Sequence, residues 1–180
     1  MTCIVGIIEN EKVYIAGDSA GVAGLDITIR KDPKVFKTGE FVIGCTSSFR
    51  MINILRYSFA PPELSENEDI YKYMCTKFIN AVRQSFKDAG WLEIDKNIES
   101  GGTFLVGLRG RLFKIESNFQ VAESIDKFAS VGCGDVYAVT VLKMLESEYL
   151  INANDKLTKA LEMAVYFSGG VRPPFNYVES

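Results

Sequence analysis

Cys3-Ile4-Val5-Gly6-Ile7-Ile8 and Val13-Tyr14-Ile15-Ala16-Gly17 are two apolar runs rich in β-branched residues, joined by the polar Glu9-Asn10-Glu11-Lys12. That pattern predicts a β-hairpin. Beyond the small-residue stretch Ser19–Gly24, the segments Ile27–Arg30, Val35–Lys37 and Glu40–Thr46 read as further strands, the last two hinged at Thr38-Gly39. Helical spacing then begins: Phe49, Ile52 and Leu55 share a face, with Ser47 or Ser48 as N-cap, and Pro61-Pro62 closes the helix. Ser65-x-x-Glu68 has the form of a capping box before a longer helix with the stripe Ile70, Met74, Phe78, Val82 and Phe86. Asp88–Gly102 reads as a charged loop. Thr103–Leu108 and Arg111–Glu116 form a second hairpin around Arg109-Gly110, Phe128–Val131 another strand, and Asp135–Ser147 and Asp155–Phe167 two helices, the latter capped by Asn154. Phe175–Val178 is a closing strand. Strands and helices therefore come in blocks, which predicts an α+β fold: a four-layer αββα sandwich with two antiparallel sheets between helix layers.

Composition bounds the chemistry. The 180 residues suit a single domain, residues 1–180, with 47% hydrophobic and 24% charged residues and no internal repeat or linker. A net charge of −3 offers no basic footprint for nucleic acid. No apolar run is long enough to cross a bilayer, and the short N-terminal one is broken at once by Glu9, Glu11 and Lys12, unlike a signal peptide. The four cysteines, Cys3, Cys45, Cys75 and Cys133, stand singly with no CxxC pair, which predicts reduced thiols and a cytoplasmic location. Histidine is absent. That excludes Ser-His-Asp triads, Cys-His dyads and histidine metal sites, so a hydrolase built on this chain needs another general base. Neither metal nor cofactor is expected.

Gly132-Cys133-Gly134-Asp135-Val136-Tyr137-Ala138 follows a strand, opens a helix and matches G-x-G-x-x-A. The dinucleotide fingerprint also requires an acidic strand end about 20 residues on. There the chain reads Asn152-Ala153-Asn154-Asp155, a helix start, so the motif reads as a tight strand-to-helix turn. Thr2 points elsewhere. A small second residue permits removal of the initiator methionine, leaving a hydroxyl nucleophile with its own α-amine as base, whose ordinary pKa of about 7.7–8.0 suits proton transfer near neutrality.

Asp18 lies 18 − 2 = 16 residues after Thr2, and Lys34 lies 34 − 2 = 32 after it. With Thr-x-Ile-Val-Gly, Ile-Ala-Gly-Asp and Lys-Val at these intervals, the chain resembles the proteasome β-subunits and their bacterial relative, the HslV peptidase, which are N-terminal-nucleophile hydrolases. The likeness continues through Phe41–Ser48, Gly107–Ile115, Gly132-Cys133-Gly134 with Tyr137-Ala138, and Phe167-Ser168-Gly169-Gly170. It implies that Thr2 attacks the scissile carbonyl, that Lys34 holds a positive charge beside it, and that Asp18 holds Lys34. Ser168 would orient the amine, with Cys133 where a second serine is usual. Backbone N–H groups of Ser47 and Ser48 would form the oxyanion site. The chain departs from the family at Val165, where a second aspartate is common, at Ser47 or Ser48 for the oxyanion-loop glycine, and in Val171-Arg172-Pro173-Pro174-Phe175.

The resemblance also implies a peptide or unfolded-protein substrate, a homo-oligomeric ring and an ATP-dependent unfoldase partner. Two alternatives stand beside the threonine peptidase: a non-catalytic ring or scaffold subunit, and a small-molecule amidase of the same superfamily. Tyr57, Phe59, Trp91–Ile94 and Pro173-Pro174-Phe175 are apolar groups near element ends, suited to interface anchors or to core. Arg172 reads as an anchor for the C-terminal segment or for a neighbour.

Overall fold

The computed structural model describes the whole chain, Met1–Ser180. The opening hairpin is β1 (Cys3–Glu9) and β2 (Lys12–Gly17), and its turn residues Asn10 and Glu11 both take positive φ, 51° and 61°. Two-residue turns between twisted strands demand this. β3 (Ala20–Ala23) and β4 (Asp26–Ile29) form a second hairpin as a separate two-stranded sheet. Only its second arm was expected, because Ala-Gly-Val-Ala carries little strand signature. β5 (Val35–Thr38) and β6 (Phe41–Cys45) follow, then α1 (Phe49–Tyr57), capped by Ser48, whose side chain accepts from the Arg50 N–H at 3.0 Å.

α2 (Ile70–Tyr73) runs through a π turn, Met74–Phe78, into α3 (Ile79–Asp88). Side chains repeating every fourth residue drift around a 3.6-residue helix by about 40° per step, and a wider π turn takes up part of that drift. Met74, Phe78, Val82 and Phe86 are accordingly all buried, whereas Ile70 is half-buried. The cap is Asp69, whose carboxylate accepts from the Lys72 N–H at 2.6 Å, and not Ser65, which closes a turn onto Glu68. The helix starts where its apolar stripe starts.

Within the expected loop 88–102 lies a small exposed hairpin, β7 (Glu93–Asp95) and β8 (Ile98–Ser100). β9 (Phe104–Leu108) and β10 (Arg111–Ile115) turn at Arg109-Gly110, and β10 also pairs with a short strand the sequence did not reveal, β11 (Val121–Glu123). β12 (Phe128–Gly132) leads into α4 (Asp135–Met144), followed by α5 (Ala153–Phe167) and β13 (Asn176–Glu179). Asn152, not Asn154, caps α5, accepting from the Asp155 N–H at 2.9 Å, because Ala153 already belongs to the helix's buried face.

The main sheets run β12-β1-β2-β13 and β11-β10-β9-β6-β5, both antiparallel throughout. Three apolar clusters mark three interlayers. α1 and the π-turn helix pack on the second sheet through Phe41, Phe78 and Phe104 among others, and α4 and α5 pack on the first through Val5, Leu157 and Leu161. Between the sheets lie Ile4, Ile15, Val35, Val42 and Leu105. The four-layer αββα sandwich is therefore the observed architecture. β1 shows why its sequence is apolar without alternation: Cys3, Val5 and Ile7 face the helices while Ile4 faces the other sheet. Phe59 is core, and Tyr57 is exposed.

Gly132, paired with Cys3 at the end of β12, has φ 108°. A Cβ there would be driven into the Thr2 carbonyl. Gly132→Ala is expected to destabilise the fold by about 3 kcal/mol or more through strain and overpacking together, read as a lowered urea midpoint with an unchanged slope.

Candidate active site

The offsets 16 and 32 are hairpin arithmetic. β1 and β2 carry the chain away and back, so Asp18 returns beside Cys3; β3 and β4 repeat the excursion, and 34 − 18 = 16 residues later Lys34 arrives at the same end. Asp18 Oδ1 accepts from Lys34 Nζ at 2.8 Å and from the Cys3 N–H at 3.0 Å, and Oδ2 from the Ala20 N–H at 2.9 Å and the Arg172 N–H at 3.3 Å. Both charged side chains are out of solvent, at 1% and 0% exposure. Burial, opposed by the neighbouring Asp18 charge, holds the Lys34 ammonium below the ordinary lysine value of 10.5.

Thr2 is buried just ahead of β1. Its Oγ1 donates to the Met1 carbonyl at 2.5 Å, and Lys34 Nζ stands 3.5 Å from the same oxygen. The Thr2 N–H donates to Cys133 Sγ at 3.3 Å, to which Ser168 Oγ also donates at 3.2 Å, while Cys133 Sγ donates to the Thr2 carbonyl at 3.4 Å. Cys133 sits in the turn between β12 and α4, and Ser168 is the C-cap of α5. Met1 packs over Gly170, where any side chain would collide with it.

The loop between β6 and α1 completes the group. Ser47 has φ 60°, the left-handed conformation that glycine adopts without strain, and its hydroxyl accepts from the Thr103 N–H at 3.1 Å. The Ser48 N–H is donated to the Thr46 carbonyl at 2.7 Å, whereas the Ser47 N–H has no acceptor within the protein. Thr2, Lys34, Ser47 and Ser48 line one cleft of about 330 Å³, floored by Phe49 and Ile52 and walled by Gly21, Val22 and Ala23 of β3. All seven residues singled out in the sequence thus come to one end of the two sheets.

No family profile and no curated relative matches the sequence. Solved structures do match. BPH from Thiobacillus denitrificans in complex with epoxomicin superposes with a TM-score of 0.83 at 18% identity, covering 99% of this chain and 98% of that one. HslV from Trypanosoma brucei gives 0.69 at 15% identity, covering 99% and 98%. Anbu, the ancestral beta-subunit of Yersinia bercovieri, gives 0.66 at 14%, covering 99% and 81%. The chain has the proteasome-like Ntn-hydrolase fold.

Within that fold, Gly132-Cys133-Gly134 serves packing: Gly134 opens α4 where a Cβ would stand 2.8 Å from Ala164 and 3.0 Å from Cys3. Val165 packs against the α4–α5 core cluster. The sequence left the role of Arg172 open. Its N–H completes the set of donors around Asp18, and Nη1 donates to the Ser168 and Val171 carbonyls at 3.2 and 2.6 Å. This closes the C-terminus of α5, which has no basic residue in its last turn. Arg30, at the rim of the cleft, carried no local signal at all.

Asp18→Ala strands the buried Lys34 ammonium and is expected to cost about 3–5 kcal/mol in urea unfolding, with partial recovery in the Asp18→Ala/Lys34→Met pair. Because the folded Lys34 value lies below 10.5, the unfolded chain binds more protons between the two values. Relative to Lys34→Met, wild-type stability should therefore rise with pH through that window, and a fall would contradict the burial argument.

Proposed function

We propose that the chain is a threonine-type N-terminal-nucleophile hydrolase that cleaves amide bonds of peptides or unfolded proteins once Met1 is removed. The observation that carries the reading is the position of Thr2: its nitrogen lies at Cys133 Sγ, its hydroxyl faces the oxygen that Lys34 also approaches, and both adjoin a cleft with one unused backbone donor, Ser47 N–H. With Met1 gone, that nitrogen is a free amine. It takes the proton from Thr2 Oγ1 as the oxygen adds to the substrate carbonyl, and the developing oxyanion is received by the Ser47 N–H. Lys34, held by Asp18, favours alkoxide character at Oγ1 and lowers the amine's basicity by like charge. The amine then returns the proton to the leaving nitrogen, and water hydrolyses the ester left on Thr2. Ser168 and Cys133 orient the amine.

A homo-oligomeric ring would enclose such a nucleophile, and folded substrates would reach it through an ATP-dependent unfoldase. The support for association is an exposed apolar face on α4 and α5, where Val136, Met144, Tyr166 and Phe167 are 67%, 73%, 81% and 56% exposed. The four unpaired cysteines fit a reducing compartment such as the cytoplasm.

A second reading, a ring subunit without catalysis, draws on the engagement of Thr2 Oγ1 by Met1 and on the apolar packing of Val165. Intact mass and turnover of fluorogenic peptides separate the two. Activity should track the Met1-free mass and vanish in Thr2→Ala, and an active population that fully retains Met1 would end the α-amine mechanism. Light scattering at micromolar concentration is expected to give a mass of at least about six subunits, the smallest closed ring the reading allows; a monomer would favour a free-standing amidase.

A further inference from the structure

The cleft beside Thr2 has cations on its surface and no carboxylate. Arg30 and Lys34 line it, while their partners Asp32 and Asp18 lie outside the lining. Lys34 is committed to Asp18. Arg30 is held by three contacts on three sides. Its stem crosses Gly21, where a Cβ would stand 2.9 Å from Arg30 Cδ. Its guanidinium lies 3.7 Å from the centroid of the Phe49 ring, and Nε and Nη2 donate to Asp32 Oδ1 and Oδ2 at 3.0 and 2.8 Å. Nη1 has no acceptor. A planar cation fixed on an aromatic floor with one edge unused is a preorganised receptor for a carboxylate.

We propose that Arg30 sets the specificity of this cleft, selecting a substrate residue with an acidic side chain at the subsite next to Thr2 and rejecting lysine and arginine there. The proposal rests on the cleft being where Thr2 meets its substrate. An anionic side chain would gain Nη1 of Arg30 without displacing Asp32. A basic one would enter a cleft with like charges and no acidic partner, which costs more than a neutral misfit. Leucine-sized apolar side chains would rank between them, on Phe49 and Ile52.

The test separates binding from turnover. Calorimetry on the Met1-free Thr2→Ala chain with Ac-Ala-Ala-Xaa-amide peptides should show glutamate bound about tenfold or more tighter than lysine, the scale of one charge-assisted hydrogen bond. Arg30→Gln should level the two, and Arg30→Glu should reverse them, with thermal midpoints reporting that both variants fold. Equal or tighter binding of the lysine peptide, a preference unchanged in Arg30→Gln, or no binding of any peptide would overturn the proposal. Cleavage-site mapping with the Thr2-bearing chain then tests the underlying reading. Glutamate-selective binding without turnover would sink hydrolysis alone, and turnover with no charge preference would sink the role of Arg30 alone.

Discussion

The Asp18 carboxylate joins four parts of the chain. Its donors come from the first residue of β1, from the start of β3, from the residue before β5 and from the segment after α5. A buried ion pair alone is weak evidence of stability, because desolvating both charges offsets most of the attraction between them. What this one supplies is position. With every lone-pair direction of the carboxylate occupied, the start of β1, the Lys34 ammonium and the Arg172 turn are fixed relative to one another. The Thr2 hydroxyl and nitrogen inherit that placement from Cys3.

The two sheets make this convergence possible. Successive hairpins return the chain to one end of the sandwich, β6 ends there at Cys45, β12 ends there at Gly132, and α5 runs back to deliver Ser168. Gly132 allows the Thr2 carbonyl to come against the β12 backbone, and Gly170 leaves room for Met1. Small residues thus decide how closely the N-terminus approaches the turn that holds Cys133. Gly132 together with Gly134 also produces a dinucleotide-like pattern. In a fold of antiparallel sheets, G-x-G-x-x-A marks close backbone approach and a helix start, not a phosphate cradle.

Elements with strong periodicity are legible, while three-residue strands, and a four-residue strand as poor in β-branched residues as Ala20–Ala23, are not, because a two-residue repeat needs several turns of the pattern to stand out. β3, β7, β8 and β11 are of this kind. β11 forms on β10, which already pairs with β9, whereas β7 and β8, like β3 and β4, pair only with each other as hairpins. The caps of α2 and α5 followed from which residues the apolar face recruits, so Asp69 and Asn152 took the role that the motifs Ser65-x-x-Glu68 and Asn154 suggested.

The block order of elements, the absence of any histidine base and the spacing of Thr2, Asp18 and Lys34 are properties of the sequence alone, since hairpin length is a local matter. They determined the sandwich and the candidate nucleophile with its charged pair. Which of Ser47 and Ser48 keeps a free N–H, what Arg172 holds and which way Arg30 faces were decided only in three dimensions. Arg172 reaches Asp18 across 154 residues of chain, and Arg30 depends on the bare Cα of Gly21 and on the ring of Phe49 from another element. Such contacts are set by how layers pack and strands register, and no local pattern of residues encodes them.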